Sequence, residues 1–393
     1  MSRLRELIAD PWVRYVELRA ERIDDPVRRL KYLRQMMAVP AWLDSLVFTR
    51  RMAWRAGIAG AILLVPFGWR WTPVTQGRDA QPRVLSASVA PHETHLDETP
   101  PANQSVWLVE RHKEYEMYSN GLRIERRFET AGDPRSYFQF ERAGDPAKAP
   151  LRTEPAGIVF HTTESNLAPF DRAHNETLRR FGTALVEYTS REKLYHYVVD
   201  RFGQVNRAVR ESDVAYHAGH SVWADEAGIY VRLNHSFLGV SFEGRSTGSG
   251  EERTINHAQI HAGRLLTAML RDKYQIAEEN CVTHAQVSVS PLTRKVGYHT
   301  DWAANFPFRE VGLKNNYKLP LWSVAVFGFA PSDEYMELAD PDLREAVRSA
   351  EKGLEDEARQ QNVTLSQHRA ERLREFARFG NAMRQIRAVK ETD

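Results

Sequence analysis

Apolar positions between residues 105 and 310 alternate, run together or recur at helical spacing, and so divide the segment into strands and helices. Val106-Trp-Leu-Val109, Tyr115-Glu-Met-Tyr118 and Leu122-Arg-Ile-Glu-Arg-Arg-Phe128 alternate, which predicts strands. Asn120-Gly121 between the last two predicts a hairpin turn. Tyr137-Phe-Gln-Phe140 predicts a further strand. Short apolar runs at 158–161, 195–200, 205–209, 238–243 and 281–284 predict buried strands, the second and third joined around Phe202-Gly203. Helical spacing over 175–190 and 254–274 predicts two helices, the second with Ile255, Leu265, Leu266, Met269 and Leu270 on its apolar face. The order predicts an α/β fold, a mixed central β-sheet flanked by helices.

The flanks read differently. Residues 1–55 are charged and helical in spacing, with Arg28, Arg29, Lys31, Arg34, Arg50, Arg51 and Arg55 dominating, and predict a cytoplasmic helical segment. Residues 56–69 carry no charge, and a bilayer span needs about 20 residues. Counting from Met52 lengthens the run, with Arg55 snorkelling toward headgroups and Trp54, Trp69 and Trp71 as interfacial flanks. A transmembrane anchor is therefore expected over 52–71, with a buried helix as the alternative. The arginine cluster before it predicts a single pass through the inner membrane, with the C-terminal part on the periplasmic, cell-wall side. Residues 72–104, rich in Pro, Thr, Ser, Ala and Gln, predict a flexible linker. The remainder divides into a small β subdomain at 105–149, a central domain at 150–310 and a helical extension at 311–393. In the extension the apolar stretch 319–329 is too short to span a bilayer. Leu373, Phe376, Met383 and Ile386 form a stripe on a helical hairpin that either covers the central domain or docks a partner protein.

Composition changes this picture little. A chain of 393 residues holds about two to three domains, and a net charge of +2 gives no reason to expect nucleic acid. A lone cysteine, Cys281, excludes internal disulfides and thiolate-rich zinc sites. Of the 14 histidines, His161 and His284 each end an apolar run. Two such strands side by side can hold one metal ion, and histidine plus carboxylate ligation with an open position makes a zinc hydrolase. His257 and His261 are four apart on a helix but lack the glutamate of a metalloprotease helix, and read as solvated surface.

Five segments appear in an order that carries a resemblance: Gly157-Ile-Val-Phe-His161-Thr-Thr, Tyr195-His-Tyr-Val-Val-Asp-Arg-Phe-Gly203, His217-Ala-Gly219, Leu238-Gly-Val-Ser-Phe-Glu-Gly244 and Val282-Thr-His284. His299-Thr-Asp301-Trp-Ala-Ala-Asn-Phe306-Pro-Phe308 follows them. Together they resemble the type 2 N-acetylmuramoyl-L-alanine amidases, a zinc amidase family that shares its fold with peptidoglycan-recognition proteins. The resemblance covers roughly 150–310. It implies zinc held by His161, His284 and a third ligand before an aromatic-Pro-aromatic run. Counting back from Phe306-Pro-Phe308 gives Asp301, with His299 as rival. The usual Pro-Gly after that ligand is Trp302-Ala303 here, and the interval from His284 is longer than the family's.

The resemblance also implies catalytic roles. Tyr195 matches a catalytic tyrosine that donates to the oxyanion. His299 stands where the family often has a catalytic lysine, with Lys295 close by. Glu243 shares a strand face with Ser241, where some members hold a glutamate base. His217 and Asn234 are expected to contact substrate. The implied activity is hydrolysis of the amide between N-acetylmuramic acid and L-alanine in peptidoglycan or muropeptides. The alternative is a recognition module that binds muropeptides without cutting them.

Overall fold

The computed structural model describes residues 105–390, except 143, 166 and 246–254. The predicted anchor at 52–71, the segment before it and the linker after it lie outside the described residues. Among the described residues no helix is long and apolar enough to cross a membrane.

Strands β1 (Leu108–Arg111), β2 (Tyr115–Tyr118) and β3 (Arg123–Glu125) form an antiparallel meander, with Gly121 at φ 84° in the second turn. A short ribbon joins β4 (Tyr137–Phe138) to β5 (Leu151–Arg152). Then come β6 (Gly157–Thr162), helix α1 (Asn175–Glu192) and the hairpin of β7 (Tyr197–Val199) and β8 (Val205–Arg207). The hairpin of β9 (Val222–Ala224) and β10 (Ile229–Val231) precedes β11 (Phe237–Phe242), α2 (His257–Tyr274) and β12 (Cys281–Thr283). Helix α3 (His284–Val287) and the pair β13 (Val289–Ser290) and β14 (Lys295–Val296) close the domain. Helices α4 (Trp322–Ala325), α5 (Asp333–Leu338), α6 (Pro341–Gln360) and α7 (Leu365–Lys390) follow.

The main sheet has eight strands in the order β1-β2-β3-β8-β7-β11-β6-β12. β7, β11, β6 and β12 run parallel, and β7 with β8 antiparallel, so the sheet is mixed as expected. The sequences of β6 and β11 are apolar almost throughout because both are covered on both faces. Gly263 of α2 lies against the Phe242 ring, whereas Gly182 of α1 lies against Glu243. Neighbours along a strand point to opposite faces, so the two helices cover opposite sides of the sheet. Helix α2 starts where Asn256 and Gln259 make a reciprocal capping box.

Two expectations are corrected. The strands at 105–149 are not a subdomain of their own: β3 pairs with β8 through Ile124–Val205 and Glu125–Asn206, so the meander extends the central sheet. Pairing there covers the row of backbone groups that β8 would otherwise leave as an open edge. The strand expected over 281–284 stops at Thr283. Thr283 and Gln286 form a capping box, so His284 opens a helix instead of ending a strand.

The extension packs on the domain. Leu321, Val324, Phe327 and Phe329 of the apolar stretch are buried, and α6 buries Leu343, Val347 and Leu354. Phe376 and Phe379 of α7 meet the Phe327 ring at 5.1 and 5.7 Å. Leu373 and Phe376 thus serve this chain's own core. The side chains of Met383 and Ile386 lie outside the described residues.

Candidate metal centre

The parallel register brings the site together. β12 pairs with β6 through Val282–Val159 and Thr283–Phe160, so the next residues in step are His284 and His161. β11 places Ser241 beside His161 from the other side. These positions lie at the carboxyl ends of parallel strands, where open α/β sheets bind ligands. The turn after β14 adds Asp301. Ligand atoms of His161, His284 and Asp301 all lie within 4.8 Å of one another. His161 Nδ1 is 3.1 Å from Asp301 Oδ2, and His284 Nδ1 is 2.8 Å from Asp301 Oδ1.

The proton inventory of His161 tests whether these residues suit a cation. The His217 ring spans one acceptor and one donor: its Nε2–H donates to the Phe237 carbonyl at 3.2 Å, which leaves Nδ1 as an acceptor. That nitrogen is 3.1 Å from His161 Nε2, so His161 carries its proton there. Burial and the neighbouring His284 push His161 down to about 4, against the pull of Asp301, so at neutral pH it has one proton only. Its Nδ1 lone pair therefore faces a carboxylate oxygen. Burial raises the Asp301 carboxyl, but the two histidines hold it well below the usual range, and it is ionised. Two acceptors face to face repel unless a cation lies between them. His284 Nε2 is buried and has no hydrogen-bond partner among the described residues, so either of its tautomers leaves one nitrogen unsatisfied or aimed at Asp301. Neutral imidazole nitrogens and one carboxylate are a ligand set for zinc.

The packing of His217 gives Gly239 its reason. A Cβ on Gly239 would stand 2.5 Å from the His217 ring, so only glycine lets that ring lie against β11. His196, beneath His217, accepts the Gly239 N–H at Nδ1 and donates from Nε2 to the Asp213 carbonyl. Arg135 closes this underside. It donates to the carbonyls of Glu211, Asp213 and His235, and reaches the Phe237 carbonyl that His217 also uses. Burial lowers its guanidinium to about 10, so it stays charged.

Residues 151–300 match the family described as N-acetylmuramoyl-L-alanine amidase. This domain belongs to that family. The amidase domain has structural likenesses at low identity. AmpDh3 from Pseudomonas aeruginosa is 20% identical over 40% of this chain and 58% of its own, with a TM-score of 0.31. AmiD from E. coli, an N-acetylmuramyl-L-alanine amidase solved with anhydro-N-acetylmuramic acid-L-Ala-D-gamma-Glu-L-Lys, is 20% identical over 51% of this chain and 65% of its own, TM-score 0.30. Drosophila peptidoglycan recognition protein SD is 21% identical over 40% and 79%, TM-score 0.25. The chain spans less than two thirds of the length of the first two. No curated protein matches it in sequence.

Within the amidase domain the remaining expected residues separate. The Tyr195 ring is 5.2 Å from the His161 ring, half-buried two residues before β7. Burial and the Asp301 charge raise its hydroxyl, so it remains a donor at neutral pH. His299 stacks flat on His284, rings 4.6 Å apart and 18° from parallel, and stands outside the three-residue cluster. Lys295 is exposed on β14, paired through its backbone with Ser290. Glu243 is not aimed at the cluster. Its carboxylate accepts the Arg201 N–H at 3.0 Å beside Asp200 under α1, and burial raises it. β11 ends at Phe242, and the Glu243 carboxylate just beyond it is taken up by the Arg201 N–H. His217 is buried and bonded to His161, so it orients that ring instead of lining a cleft. Asn234 spends its carbonyl oxygen on the N–H groups of His217 and Ala218, which fixes that turn instead of meeting substrate. Sequence reasoning missed Arg135, because its partners are backbone carbonyls and the buried His196 ring, which no motif displays. His196 and Gly239 were visible in the quoted segments, but only packing reveals their use.

Proposed function

We propose that the chain is a zinc-dependent N-acetylmuramoyl-L-alanine amidase that hydrolyses the amide between N-acetylmuramic acid and the L-alanine of the stem peptide. The observation that carries this reading is the convergence of His161, His284 and Asp301 in a domain of this family. His161 Nδ1, His284 and an Asp301 oxygen would hold the ion. When bound, zinc polarises a carbonyl and lowers the pKa of a bound water to about 7. The chain's own residues supply the rest. His217 fixes the His161 ring, and the Tyr195 hydroxyl donates to the oxyanion that forms on attack. The test is metal content: wild type should carry zinc, His161→Ala and Asp301→Ala should lose it, and His299→Ala should retain it. Zinc retained by Asp301→Ala but lost by His299→Ala would replace the third ligand.

A further inference from the structure

We infer that a second site, an anion-binding cavity, lies between α7 and the amidase domain. The cavity holds about 400 Å³, within the range of small-molecule sites. Its walls come from the β9–β10 hairpin, the turn between β13 and β14, and the face of α7. Three arginines, Arg232, Arg294 and Arg374, line it with His220, and Phe329 and Phe376 contribute apolar wall. No aspartate or glutamate is among its lining residues. The guanidinium groups of Arg294 and Arg374 make no ion pair or hydrogen bond among the described residues, whereas Arg369 and Arg372 on the same helix pair with Glu351 and Glu357. Like charges gathered around one concavity raise its potential and concentrate counter-ions there.

A backbone observation points the same way. Arg232 and Arg294 both stand at φ 59°, the left-handed region that glycine and asparagine enter most readily. Both positions hold a long cationic side chain instead, and both face this cavity. Guanidinium forks match carboxylate and phosphate oxygens two at a time. The ligand is therefore an anion of small-molecule size carrying two or more carboxylate or phosphate charges, with an apolar portion against the phenylalanines. This inference does not depend on the metal centre or on the activity proposed for it.

Isothermal titration of the full chain at low ionic strength tests it, with tricarballylate as the carboxylate probe and inorganic phosphate as the other. Both the metal-free and the zinc-loaded chain are titrated, so that binding at the metal is recognised by its dependence on zinc. Expected is saturable binding of at least one probe to both forms, and the probe that binds names the class. Arg294→Ala/Arg374→Ala should weaken it about tenfold or more, because hydrogen bonds to charged groups are lost. Arg294→Lys/Arg374→Lys should recover part of it, and Arg359→Ala, on the exposed side of α6, should leave it unchanged. The inference fails if neither probe saturates the metal-free chain, or if the double alanine variant binds as tightly as wild type.

Discussion

The ring of His217 decides which nitrogen of His161 is free. Held between the Phe237 carbonyl and His161 Nε2, it leaves the His161 Nδ1 lone pair for a ligand. Partners of this kind typically change metal affinity about 10–100-fold when removed, so His217→Ala should weaken zinc binding by that amount. Competition with a chelator measures it. Gly239→Ala should weaken binding too, because its methyl group would push the ring away. In the His217→Ala background, Gly239→Ala should have little further effect on zinc, since no ring remains to displace. Independent, additive losses would mean that Gly239 acts some other way.

At the scale of elements, the join between the meander and β8 is held by buried charge. Arg207 of β8 reaches Glu116 at 2.7 Å, Glu211 at 3.1 Å and Glu129 at 3.3 Å, and Lys273 of α2 adds a second cation to Glu211. Removing the shared cation leaves three buried carboxylates close together with only Lys273, Arg111 and Arg126 to balance them, so Arg207→Ala should cost up to roughly 3–5 kcal/mol in denaturant unfolding. The pH dependence has a definite sign. Burial raises the Glu211 carboxyl, but Arg207 and Lys273 hold it at about 2. Glu116 and Glu129 are likewise lowered, against burial, mainly by Arg207 and Arg126. A depressed carboxyl adds stability in full above its unfolded value, near 4.5, and loses it as pH falls toward its folded value. Stability should drop between these limits, and less steeply in Arg207→Ala.

The loop of Asp301 is held by the extension: the Tyr317 hydroxyl donates to the Trp302 carbonyl at 2.7 Å and accepts the Phe306 N–H at 3.2 Å. Trp302 itself stands at φ 59°. Tyr317→Phe leaves both groups unpaired and should destabilise the fold by about 1–3 kcal/mol, with weaker zinc binding in the chelator assay. Unchanged zinc affinity would show that the loop holds Asp301 without Tyr317. These contacts also mark where the sequence stops being readable. The strand bearing His161 and the one leading up to His284 were legible because burial on both faces writes an apolar run, whereas the helix that His284 opens was not. Asp301 was legible through the Phe306-Pro-Phe308 run. The meander's place in the main sheet was not, since alternation predicts a strand but not its neighbour. Glu243 was misread because no motif displays the Arg201 N–H that takes up its carboxylate.

Taken whole, the described chain is an amidase domain built outward on both sides. The meander lengthens its sheet, and the extension from Tyr317 to α7 covers it and fastens the Asp301 loop. Tyr335 of α5 donates to the Ala285 carbonyl, one residue past His284. The domain and its additions therefore pack as one unit. The most direct test of the amidase reading is digestion of purified sacculi by the zinc-loaded chain, with peptides bearing a free N-terminal L-alanine measured by mass. Wild type should release them. Tyr195→Phe should keep its zinc but turn over about a hundred- to a thousandfold more slowly, the usual cost of one oxyanion donor. A fully zinc-loaded wild type that binds muropeptides yet releases no such peptides would contradict the account and make the protein a recognition module.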